Sequence, residues 1–153
     1  MNWFSNMLKN PFLMTAVSSW TIAQVLKAIL NAIVNKKFTL ERLFGDGGMP
    51  SGHSATVTSL ATITAFVYGT DSFPFAMAAI FAIVVCHDAM GVRQETGKQA
   101  ILINELVKSF SILAENTLPE VKLKEFVGHT PIQVLAGIIL GILNAFFMYY
   151  VVL

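Results

Sequence analysis

Gly48-Met49-Pro50-Ser51-Gly52-His53-Ser54 interrupts an otherwise apolar chain, and its reading decides what the rest is arranged to hold. The glycines let the backbone turn without steric cost, Pro50 fixes φ, and Ser51 suits the cap of the apolar run that starts at Ala55. This is the pattern of a helix N-terminus. Unpaired N–H groups and the positive end of a helix dipole would converge there, the usual recipe for holding a phosphate, with Ser51 and Gly52 as candidate anion-binding positions. His53 adds a side chain able to exchange a proton near neutral pH. The plainer alternative is a Gly/Pro turn with an exposed histidine.

Working outward, the composition sets the solvent. The chain has 153 residues, of which 55% are hydrophobic and 12% charged, so residues 1–153 are expected to form one domain within a membrane. A formal charge of +1 gives no basic excess for nucleic acid. Cys86 is the single cysteine, so no intrachain disulfide is available. Lys9 precedes a long apolar stretch without a small-residue cleavage site, which reads as a retained first span.

That first span covers residues 11–34 and carries Gln24, Lys27 and Asn31 on one helical face. Lys27 is either functional or snorkels to the nearer interface. Residues 35–53 form a polar connection that ends in the opening motif. The apolar run 55–68 is a second, short span, residues 69–74 are a tight turn, and residues 75–90 are a third span with His87 and Asp88 at its far end. Ile103, Leu106, Val107, Phe110 and Leu113 then recur with helical period among many charges, which suggests an amphipathic helix at the membrane surface or against the bundle. Residues 131–153 are a fourth span, with Gly137 and Gly141 spaced for close helix contact and hinting at a homo-oligomer. The expected fold is therefore all-α, a polytopic membrane helical bundle of about four transmembrane helices plus one amphipathic interfacial helix. Lys36, Lys37, Arg42, Arg93, Lys98, Lys108, Lys122 and Lys124 fall on one side of this arrangement and Lys9 on the other. The positive-inside rule puts both long connections in the cytoplasm and both termini outside.

All three histidines, His53, His87 and His129, emerge at the same end of their spans. A phosphomonoester needs cations or backbone donors on its oxygens, a nucleophile in line, and an acid for the leaving oxygen. Two histidines and several Lys/Arg meet that list without a metal. Thr130, Pro131 and Gln133 make a capping box, which accounts for all three but leaves His129 unexplained. Asp88 could orient a histidine or pair with Lys27; Arg93 could clamp phosphate through its fork of donors or snorkel at a helix end.

Met49-Pro50-Ser51-Gly52-His53-Ser54 resembles the central motif of the type 2 phosphatidic acid phosphatase and vanadium haloperoxidase superfamily. Over nearly its whole length the chain is similar to the small, divergent membrane family described as acid phosphatase/vanadium-dependent haloperoxidase-related: Ala23-Gln24 with Lys27, residues 47–55, Asp88-Ala89 with Gly91-Val92-Arg93, Gly97-Lys98-Gln99-Ala100, and Lys124-Glu125 before Gly128-His129-Thr130-Pro131. The resemblance implies a phosphatase of a lipid phosphate in the plasma membrane, acting without metal or cofactor, with the membrane lipids as its surroundings. It assigns His53 as general acid, His129 as nucleophile forming a phosphohistidine, Gln133 to the orienting position, and Lys27, Arg42, Arg93 and Lys98 as candidate substrate ligands. Three departures stand out. Asn35 lies seven residues before Arg42 where the superfamily has Lys, Leu123 lies six before His129 where it has Arg, and Gln133 replaces an Asp. A non-catalytic lipid or anion binder and a small lipid transporter are the alternatives.

Overall fold

The computed structural model describes residues 3–35, 48–113, 123 and 128–152; among these every regular element is helical. A short α1, Trp3–Leu8, leads into α2, Pro11–Asn35. Asn10 starts α2 because its Oδ1 accepts from the N–H groups of Phe12 (3.0 Å) and Leu13 (3.2 Å), while Pro11 occupies the position where no N–H is needed. α3 is Gly52–Tyr68, stopped by Gly69 at φ 84°. Ser72 caps α4, Phe73–Met90, through the Phe75 N–H at 3.3 Å. The chain breaks at Gly91 into α5, Val92–Leu113, and after the second long connection α6 runs Pro131–Phe147 and ends in a π-helical turn, Met148–Val152.

Among the described residues, three stretches are long and apolar enough to cross a bilayer: Pro11–Val34, Phe73–Phe110 and Pro131–Val152. α3 is different. Its 17 residues span about 26 Å at 1.5 Å per residue, a little less than a hydrocarbon core. It lies in the middle, touching α2, α4 and α6, and it buries small residues: Ser54, Ala55, Ser59, Ala61 and Thr64 among them. Hydroxyls in such a place would be costly, but each returns to its own helix. Thr56, Ser59, Thr62 and Thr64 donate to the carbonyls of Gly52 (2.7 Å), Thr56 (2.9 Å), Thr58 (2.8 Å) and Leu60 (2.7 Å). A threonine-rich helix can thereby sit at the centre of an apolar bundle.

The contacts also fix direction. Lys27 meets the turn before α3 while Thr15 meets Ser59, so α2 and α3 are antiparallel. Gly137 lies against Ser51 and Gly141 against Ala55, so α6 runs parallel to α3. A Cβ at Gly141 would stand 2.5 Å from the Ala55 carbonyl oxygen. The close approach read from these two glycines is thus made inside the chain, to α3. Val57, Cys86, Ala89 and Val134 close the core where α3, α4 and α6 meet.

At the opposite end from the histidines, Asn144 joins α6 to α2: its Nδ2 lies 2.8 Å from Ser19 Oγ, 2.9 Å from Ser18 Oγ and 3.1 Å from the Thr15 carbonyl. Asn144→Leu is expected to lower stability by about 1 kcal/mol, the scale of polar helix–helix contacts in membranes. Thermal unfolding in detergent checks this, and an unchanged midpoint would show the cluster to be energetically idle.

Candidate active site

His53 and His129 are brought together. Their ring centroids are 6.3 Å apart with the planes at 61°, close enough for both imidazoles to reach one small tetrahedral anion. His53 is the second residue of α3 and is exposed; His129 is only 3% exposed. Two features hold His129. Gly128 turns the chain at φ 91°, and the His129 N–H donates to the Ala89 carbonyl at the end of α4 at 3.0 Å.

Gln133 organises the junction of α3 and α6. Its Oε1 accepts the Thr130 N–H at 3.1 Å as half of the capping box, and the same oxygen lies 3.3 Å from His129 Nδ1. The Thr130 N–H needs an acceptor, so the amide oxygen faces it. In a neutral imidazole Nδ1 then carries the proton and Nε2 keeps the lone pair. The Gln133 carbonyl, meanwhile, accepts the Ser51 N–H at 3.0 Å and ties the two histidine-bearing segments together.

Ser51 itself is fully buried. Its Oγ accepts from Ser54 N (3.3 Å) and Ser54 Oγ (3.0 Å). Its N–H serves the α3–α6 junction, and its Oγ caps the first turn of α3. Gly52 and His53 occupy the first two positions of α3, at the positive end of its dipole.

Lys27 is 6% exposed, and its stem lies along Gly48, where a Cβ would be 3.3 Å from Cγ and 3.4 Å from Cδ. Gly48 also has φ +89°, so both the space and the backbone demand glycine. One turn along α2, Gln24 and Trp20 reach Gly52, whose added Cβ would lie 3.5 Å from Trp20 Cδ1 and 3.9 Å from Gln24 Cδ. The Gln24 Oε1 is buried there without a hydrogen-bond partner. Trp20 was not among the residues picked from the sequence, although its spacing of four and seven from Gln24 and Lys27 puts it on their face.

The remaining candidates are less central. Asp88 is half-buried on the last turn of α4, next to Ala89 whose carbonyl accepts the His129 N–H. His87 is exposed. Lys98 is on the exposed face of α5, paired with Glu95 at 2.6 Å. Arg42 and the Arg93 side chain lie outside the described residues. Leu123 is held by Asn104, whose Oδ1 accepts the Leu123 N–H at 3.0 Å and whose Nδ2 donates to its carbonyl at 2.9 Å.

No solved structure matches the chain. It is 40% identical over 154 residues to the Bacillus subtilis (strain 168) protein named uncharacterized membrane protein YuiD, covering 94% of this chain and 97% of that one. Residues 8–144 match the Divergent PAP2 family. With the motif histidines facing each other at the mouths of α3 and α6, and the match spanning almost every helix, the chain is a membrane protein of the Divergent PAP2 family.

Proposed function

We propose that the protein removes phosphate from a lipid phosphomonoester at the cytoplasmic leaflet of the plasma membrane, by way of a phosphohistidine. The observation that carries this reading is the pairing of His53 with His129, with Gln133 Oε1 beside Nδ1 of the second ring, a contact that favours the tautomer a nucleophile requires. His129 Nε2 attacks phosphorus as the ester P–O bond breaks, and His53 gives its proton to the departing oxygen. Water then attacks the P–N bond, its proton passing to His53, and inorganic phosphate leaves with His129 restored. The N–H groups of Gly52 and His53, the α3 dipole and Lys27 favour the charge on the phosphoryl oxygens. Arg93 and Arg42 are placed by sequence on the same side, and the eight basic residues there against Lys9 opposite favour a cytoplasmic site.

A phosphate-release screen tests the reading, run over phosphatidylglycerophosphate, phosphatidate and prenyl phosphates in detergent with wild type beside His53→Ala and His129→Ala. Release from at least one lipid that both substitutions remove supports it; no release from any of them sinks it.

Gln133 favours a second reading, a lipid-phosphate binder without turnover, because a neutral amide does not stabilise an imidazolium as a carboxylate does. The two differ over Gln133→Leu. An enzyme that relies on Oε1 to hold the tautomer is expected to lose on the order of 10²-fold or more in kcat at similar KM. A pure binder would show wild-type affinity for vanadate and no turnover to lose.

A further inference from the structure

The geometry points to a binding groove for the substrate's hydrocarbon chain on the face of α3 that lies between α2 and α4. α3 is the central helix, yet its neighbours do not enclose it. α2 packs on α6 and α6 on α4, while α2 and α4 make at most a marginal contact among the described residues. Side-chain positions show which face is left open. Ser51, Ser54 and Ala55 turn towards α6, Gly52 and Ser59 towards α2, and Val57 towards α4. At 100° per residue, His53, Thr56, Leu60 and Val67 fall together on the remaining arc.

Exposure agrees with this arc: His53 is exposed, Thr56 and Leu60 are partly so, and Val67 is 43% exposed. The stripe is apolar beyond His53, because the Thr56 hydroxyl is turned back to the Gly52 carbonyl. Trp20 stands beside it on α2, on the side away from the Ser18–Asn144 contact, and is 40% exposed. Tyr68 stacks on Phe12 at 5.3 Å and ties the outer ends of α2 and α3.

The occupant is the acyl or prenyl chain of the lipid whose phosphate sits at the histidine pair, because the open stripe is continuous with His53 and runs about 21 Å along the helix from it. A chain laid there leaves its phosphoester at the mouth, beside His53 and the first turn of α3. Bulk bilayer lipid would cover the same face without preference for headgroup. The inference rests on the phosphatase reading for its substrate, but it makes a separate claim about place.

Two measurements test it. The first compares Leu60→Trp with wild type on one lipid-phosphate headgroup carried on octadecenoyl or on hexanoyl chains. Filling the stripe should lower the long-to-short ratio of kcat/KM by about tenfold, the scale of a few methylenes displaced from an apolar site. The second uses Trp3→Phe protein, so that Trp20 is the only tryptophan, in vesicles with a few per cent of a brominated-chain lipid. A non-hydrolysable phosphonate lipid should quench Trp20 more than the same brominated chains on phosphatidylcholine. An unchanged ratio, or equal quenching by the two headgroups, overturns the groove. Failure of wild type to hydrolyse either substrate overturns the phosphatase reading instead, and the quenching result then judges the groove alone.

Discussion

His129→Ala is expected to abolish phosphate release, a loss on the order of 10³-fold or more, because it deletes the atom to which the phosphoryl group is transferred. The fold should tolerate the change. The backbone here is held by its N–H to the Ala89 carbonyl and by the Thr130 cap, neither of which uses the imidazole, although the buried ring also meets Gln133 Oε1. Elution and thermal unfolding should therefore stay close to wild type while turnover disappears. His53→Ala is expected to behave differently with the leaving group. A general acid contributes about 10² to 10⁴ with an alkoxide leaving group and much less with p-nitrophenolate, which departs without a proton. The defect of His53→Ala should shrink on p-nitrophenyl phosphate, and that of His129→Ala should not. Equal defects on both substrates would remove the distinction between acid and nucleophile.

Gly137→Val is the second substitution with a large expected effect. A Cβ at Gly137 would overlap the Ser51 carbonyl oxygen and lie 3.0 Å from Ser54 Cβ and 3.2 Å from Ser51 Cβ. The first obstacle is backbone and cannot rotate away, so α3 and α6 must separate. Overpacking of this kind costs about 1–3 kcal/mol. Here it also stretches the Ser51–Gln133 bond, now 3.0 Å, that joins the two histidine-bearing segments. Activity should fall with stability, even in preparations that remain monodisperse in detergent. Leu135→Val, on the exposed side of the same helix, is the control and should stay within about 0.5 kcal/mol of wild type. A stable, active Gly137→Val would mean that the close approach of α3 and α6 is not needed for fold or function.

Much of this was legible in the sequence because local rules act on local residues. The Ser51 and Thr130 caps, Pro131 with Gln133, the stop at Gly69 and the break at Gly91 each need only a few neighbouring side chains to specify them. The helical period of Ile103, Leu106 and Phe110 likewise gave α5, and all three are exposed on it. Neighbours across the bundle were not legible in the same way. Spacing put Gly137 and Gly141 on one face but could not say that the face meets α3. Lys27 could equally have snorkelled, since nothing near it in sequence announces that its stem lies along Gly48. Gln133, by contrast, was placed by its position four after His129, and its Oε1 does lie at His129 Nδ1.

Where the phosphoryl group goes during turnover decides between attack by His129 and every other route. Wild type mixed with ³²P-labelled lipid phosphate and quenched in alkali within the first turnovers should carry label on the peptide containing His129, stable to base and lost in acid. His129→Ala should carry none. Turnover without a labelled intermediate, or label on His87 or on any hydroxyl residue, would contradict the mechanism drawn from the facing imidazoles.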